Sequence, residues 1–278
     1  MAPEAKSEDL LYVSDDSGFI YVFSYPEGKL VGTLAGAYGP SGLCSDKAGH
    51  VFVANTQDAN ILEYAHGGKN PIATLADPGY YPNGCAVDPT TGNLAVANYA
   101  STLIGPGSVS VYSNGRPPVT YTDPVFNEYL FCGYDDKGSL YVDGVNAGTT
   151  QTELAKLPSG KTSFTNIRLK QRIGFPGAVQ WDGTYVAIED ATTNIVYRLK
   201  VSGSAGAVVG EIRFKGPRSN LLVQFWIQGN AIIVPYGSQS RTVRMIGLWR
   251  YPAGGSPTKV LRDPAATELF GATVSLAK

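Results

Sequence analysis

The sequence predicts an all-β fold, a six-bladed β-propeller with four-stranded blades, on three observations. One phrase is written repeatedly: GPSGLCSDKAGHVFVAN (39–55) and YPNGCAVDPTTGNLAVAN (81–98) share their glycines, their Asp and their closing Ala-Asn. The copies are evenly spaced along 278 residues. The last copy breaks off at the C-terminus, and its missing half stands at the N-terminus.

Anchored on Gly42 and Gly84, the phrase returns as YLFCGYDDKGSLYVDG (129–144, anchor Phe131) and FPGAVQWDGTYVAIED (175–190, anchor Gly177). A drifted fifth copy is SNLLVQFWIQGNAIIVPY (219–236, anchor Leu221), and LFGATVSLAK (269–278, anchor Gly271) begins a sixth. The anchors lie 42, 47, 46, 44 and 50 residues apart. The segment DLLYVSDDSGFIYVFSYPEGKLVGTLAG (9–36) matches the later part of each unit, so the two chain ends complete one shared blade. Each unit alternates short β-branched and aromatic runs with Gly, Asp, Asn and Pro turns, and no window has a helical period. Repeated radially, such units make a propeller. A β-sandwich, the rival architecture, accounts for neither the period nor the wrapped phase. The expected organisation is one domain over 1–278, preceded by a polar lead-in over 1–8.

Charged residues make up 16% of the chain and the net charge is −1. This gives no general electrostatic drive toward nucleic acid or anionic lipid. No apolar run approaches the roughly 20 residues of a membrane span. The lead-in MAPEAKSEDL has no hydrophobic signal core; it reads as the polar start of a chain from which a signal peptide has been removed. Three cysteines cannot all pair within one chain. Cys85 and Cys132 share a register, one residue after their anchors, whereas Cys44 stands one step later. Because strand residues alternate in direction, Cys44 could face Cys85 of the next blade. Buried free thiols are the default expectation, with a Cys44–Cys85 disulfide as the alternative.

Sites in propellers gather where loops ring the hub. The alignment gives two rings at one mouth. Before the anchors stand Ser41, Asn83, Leu130, Pro176, Asn220 and Phe270; at the ends of the second strands stand Asp15, Asn55, Asn98, Gly144, Glu189 and Tyr236. Asp15, Asn55, Asn83, Asn98, Glu189, Asn220 and Tyr236 are the candidate ligand-binding residues, beside aromatics such as Tyr38, Tyr81 and Tyr99. They suit a polar small molecule or, through oxygen ligands, a hard divalent cation such as Ca2+. The metal candidates are Asn83, Glu189 and Asn220. Asn and Asp after a strand are also ordinary turn residues, which is the expected role of Asp46, Asp88 and Asp135 at the opposite face. His50 and His66 are placed away from the hub, and neither G-x-S-x-G nor H-E-x-x-H occurs. Trp226 replaces a polar turn of the other units and marks a contact surface.

The pattern P-x-G-(x)3-D-x-x-G-x-(L/V)-x-V-A-N resembles bacterial NHL-repeat and YncE-like six-bladed propellers over nearly the whole chain. That resemblance implies a secreted or periplasmic binding module, monomeric, with a small molecule or a protein as partner. The PNG phrase at 82–84 is similar to that of the senescence marker protein/gluconolactonase family. There a divalent metal held by a Glu, two Asn and an Asp polarises a lactone carbonyl. By motif only Asn83 carries over, so a metal-dependent lactonase-like hydrolase is the second reading and a non-catalytic binder the first.

Overall fold

The computed structural model describes residues 1–103, 105–113, 116–149, 151–215, 224–237 and 243–278. Six antiparallel sheets stand in a ring, forming a six-bladed β-propeller. Blade 1 comprises Pro40–Ser45, Val51–Asn55, Asn60–Tyr64 and Pro71–Ala76 from hub to rim. Blade 2 comprises Tyr80–Val87, Leu94–Ser101, Gly105–Tyr112 and Val119–Tyr121, and blade 3 Phe126–Tyr134, Leu140–Asn146, Thr152–Leu157 and Thr165–Asn166. Blade 4 runs Pro176–Trp181, Val186–Asp190, Ile195–Ser202 and Ala205–Arg213, with a fifth strand, Arg168–Leu169, added in parallel at its rim. Blade 5 runs Trp226–Gln228, Ala231–Gly237, Val243–Arg250 and Gly254–Arg262.

Blade 6 closes the ring. Its innermost strand is the C-terminal Leu269–Ser275, and the next three are Leu10–Asp15, Phe19–Ser24 and Leu30–Ala35. Leu10 pairs with Ser275 and Tyr12 with Thr273, so separating the termini would break a whole strand ladder. The polar lead-in does not hang free. Pro3–Lys6 forms a 3-10 turn, Ala5 is fully buried, and the Ala2 N–H donates to Val31 O.

The recurring anchor glycine has a steric cause. A Cβ on Gly42 would lie 2.5 Å from Asn83 O of blade 2, and one on Gly271 would lie 2.7 Å from Ser41 O of blade 1. Inner strands can approach this closely only where the side chain is missing. Farther out, faces are matched by size. Ala95 and Ala97 of blade 2 receive Cys132, Leu140 and Val142 of blade 3, and Val51 and Val53 of blade 1 receive Tyr12 and Val22 of blade 6. Burying such side chains is worth about 1.5–3 kcal/mol each, which makes every seam between blades a share of one continuous core.

Two expectations are corrected. The default of three free thiols gives way to a Cys44–Cys85 disulfide joining blades 1 and 2, leaving only Cys132 free, and buried. The one-step offset of Cys44 points it at the blade whose Cys85 points back. Titrating the denatured, unreduced chain is expected to find one thiol; three would show the bridge absent. Trp226, expected as a turn replacement, instead begins the inner strand of blade 5, and Gly229 and Asn230 make the turn. The fifth anchor, Leu221, and Asn220 lie outside the described residues.

Candidate functional site

The hub is crossed by side chains. Phe131 of blade 3 and Phe270 of blade 6, on opposite sides of the ring, stack with ring centroids 6.2 Å apart, and Phe131 is buried. Gln224, leading into blade 5, reaches past blade 6 to blade 1. Its Oε1 accepts from Leu43 N at 2.7 Å and its Nε2 donates to Leu43 O at 2.6 Å. A second glutamine repeats the device: Gln180 of blade 4 accepts from Ile227 N and donates to Ile227 O. Each side-chain amide mimics a peptide unit and pairs with the hub-facing edge of an innermost strand, the side on which no neighbouring strand lies. Blade 5, with its three-residue inner strand, is held on both sides in this way.

The predicted mouth residues are largely occupied inside the blades. Asp15 is fully buried and accepts from Ser17 and Thr267 through both backbone and hydroxyl. Burial pushes its carboxyl up, but the Ser17 and Thr267 hydroxyls and backbone N–H groups more than offset this and hold it below the usual range. Asn55 accepts from Tyr38 N and donates to Asp58 and Asn60, ordering a turn. Asn98 donates to Ser108 and Ser110, while its Oδ1 has no partner. Asn83 donates to Leu130 O of the next blade at 2.7 Å. Tyr236 packs edge-on against Trp249. Tyr81 and Tyr99 stack on each other at 5.6 Å, and Tyr38 stands exposed.

Glu189 stands one residue off the ring expected for it. Pro40 pairs with Asn55, Pro82 with Asn98, and Pro176 with Asp190, so Asp190 holds that register. Glu189 shares the next position inward with Asp143 of blade 3 and Ser14 of blade 6, by their pairings with Val196, Leu154 and Ile20. There a side chain takes up the N–H freed by the bulge at the anchor. Ser14 Oγ accepts from Gly271 N, Asp143 Oδ1 accepts from Phe131 N, and Glu189 lies against the Ala178 N–H. The second oxygen of each carboxylate, Asp143 Oδ2 and Glu189 Oε2, has no partner. Burial, then the charge of Asp190, pushes Glu189 up to about 8. Burial, then the charge of Glu189, raises Asp143 well above the carboxylate range.

These positions bear on the divalent metal. Glu189 is tucked behind Gly177, where Oε2 would lie 2.6 Å from an added Cβ, and is 2% exposed. Among the described residues no three His, Cys, Asp or Glu side chains come together as a metal-holding group. Asn220, the third metal candidate, lies outside the described residues.

The cavity at the hub opens on the other face, where the inner strands end and the D-x-x-G turns lie. It encloses about 360 Å³ and draws its walls from blades 1 to 5. Tyr134, Trp181 and Trp226 wall it, Phe225 and the Cys44–Cys85 disulfide line it, and Lys47 and Asp136 contribute charge. A second hollow of about 540 Å³ continues past Trp226 toward Leu276. The turn carboxylates are engaged locally: Asp46 accepts from Ala48 N and His50 N, and Asp135 from Lys137 N and Ser139 N. Both histidines lie away from the funnel. His50 sits 2.9 Å from Glu63, and His66 bonds Ser275 and Glu8 O. Sequence reasoning missed this face, although Trp181 and Trp226 at inner-strand ends were its signal.

Comparison with solved structures bears on the architecture. A protein of unknown function from Bacteroides caccae aligns over 97% of this chain and 99% of its own, at 12% identity and a TM-score of 0.71. A chain from the nidogen/laminin complex aligns over 97% and 99%, at 14% identity and a TM-score of 0.74. The likeness is one of fold. No protein-family model and no curated protein matches the sequence. Since one fold hosts many activities, function must be argued from the site.

Proposed function

We propose that this propeller is an extracytoplasmic binding module whose ligand, a compact and largely apolar ring compound, enters the funnel among blades 1 to 5. The observation that carries the reading is the aromatic wall. Tyr134, Trp181 and Trp226 converge from three blades on about 360 Å³, within the range of small-molecule sites. The walls stand on inner strands locked to their neighbours by the Gln180 and Gln224 bridges, so little ordering cost attends binding. The Cys44–Cys85 disulfide supports an oxidising compartment, and among the described residues no helix is long and apolar enough to cross a membrane. The NHL-like phrasing of the blades supports the same reading.

Indole and p-cresol are suitable probes, read by tryptophan fluorescence and by thermal shift. Binding is expected in the unmodified protein and lost in Ala86→Phe, which fills the funnel from its wall. Equal binding by the filled variant, or no response to either probe, would remove the funnel from consideration.

A further inference from the structure

The connection between blades 3 and 4 departs from the repeat. The chain passes from rim to hub over short links at 36–39, 77–79, 122–125 and 263–268, and the longer 214–225 lies partly outside the described residues; between blades 3 and 4 it spends 167–175 and there adds the extra strand Arg168–Leu169. Insertions that break a repeat commonly carry binding surfaces. Burial alternates along this link. Ile167 and Ile173 pack into the blade 3–4 core with Leu169 against it, and Arg168, Lys170 and Arg172 point away from that core. Apolar residues fasten the segment while three cations project from one side.

Those cations line a cleft of about 600 Å³ together with neutral polar groups of Thr149, Gln151, Thr152 and Gln171. Among the described residues none of the three lies within ion-pair distance of a carboxylate, whereas Lys29, Lys156, Arg198 and Arg213 all do. The one acid in the lining, Glu153, accepts from Asn146 Nδ2 at 2.8 Å. Two wall atoms, Thr152 Oγ1 and Asn166 Oδ1, have no hydrogen-bond partner. Against the single carboxylate of Glu153 the three cations leave the cleft net positive on a chain of net charge −1, beside donors and acceptors suited to hydroxyl groups.

We infer that this cleft binds an acidic oligosaccharide, with Arg168, Lys170 and Arg172 holding its carboxylate or sulfate groups and the Thr and Gln side chains its hydroxyls. Arginine forks match planar or tetrahedral anions bidentately, and lysine adds a point charge. A single-stranded nucleic acid would meet the same charge but needs rings on which to stack its bases, and no aromatic residue lines the cleft among the described residues. The site is separate from the funnel, so each can fail without the other.

The test uses the full chain with a heparin-derived hexasaccharide and a polygalacturonate hexasaccharide as probes, titrated at low salt. At least one is expected to bind, and more weakly as salt rises. The triple variant Arg168→Gln, Lys170→Gln, Arg172→Gln should bind about tenfold more weakly or worse with an unchanged melting temperature, since none of the three side chains is buried. Lys161→Gln with Lys200→Gln, exposed cations outside the cleft, should change affinity less than about twofold. Binding of neither saccharide, equal binding by the triple variant, an equal loss in the control pair, or tighter binding of a single-stranded oligonucleotide would each overturn the assignment.

Discussion

Gln224→Leu is expected to lower the stability of the propeller by about 2–6 kcal/mol, because it strands both backbone groups of Leu43. Leu43 is fully buried, and its N–H and C=O are both met by the Gln224 amide. Leucine approximates the volume but supplies neither donor nor acceptor, and each buried polar group left unpaired costs about 1–3 kcal/mol. Gln224→Glu separates hydrogen bonding from packing. It keeps an acceptor for Leu43 N, places a second acceptor against Leu43 O and adds a buried charge, so it should be no better tolerated than leucine. Urea unfolding monitored by tryptophan fluorescence measures both. A loss below about 1 kcal/mol in Gln224→Leu would mean that the bridge does not hold blade 5 to blade 1. The same experiment addresses the funnel, since Gln224 also lines it.

The ring, its period and its wrapped closure were legible because each blade faces the same local constraint. A neighbour's backbone lies where a side chain at Gly42, Gly84 or Gly271 would stand, and that constraint recurs in the sequence. Alternation along a strand also sufficed to bring Cys44 opposite Cys85. It failed at Glu189 because the second strand of blade 4 starts at Val186, three residues after Gly183, whereas Val51, Leu94 and Leu140 stand two after Gly49, Gly92 and Gly138. Counting on from the turn glycine therefore stops one residue short, on the opposite face. The crossed hub was illegible for a different reason. Phe131 and Phe270 lie far apart in the chain and meet only once six blades have closed. Which end of the hub opens likewise depends on how large side chains from several blades converge, and no single unit of the repeat encodes that.

Glu189→Gln should make the protein more stable at pH 8.5 and change it little at pH 5. In the folded chain Glu189 is 2% exposed, and burial, then the charge of Asp190, raises its carboxyl from 4.5 to about 8, opposed by the Ala178 N–H. Between these two values the folded state holds a proton that the unfolded state has released. Stability therefore falls as pH rises through that window, and the full penalty is reached only above the folded value. Each pKa unit is worth about 1.4 kcal/mol, so the ionised side chain costs on the order of 5 kcal/mol. Asp143, which feels the charge of Glu189, is raised in the same direction and steepens the slope. Glutamine keeps the shape and an acceptor for the Ala178 N–H but never ionises, so the variant's melting temperature should decline less between pH 5 and 8.5. Asp143→Asn should act in the same sense, and the double variant should gain less than the two singles together, because each removes part of the repulsion that burdens the other. A wild-type melting temperature that is flat across this range, or a variant that melts lower at every pH, would contradict the buried-carboxylate account.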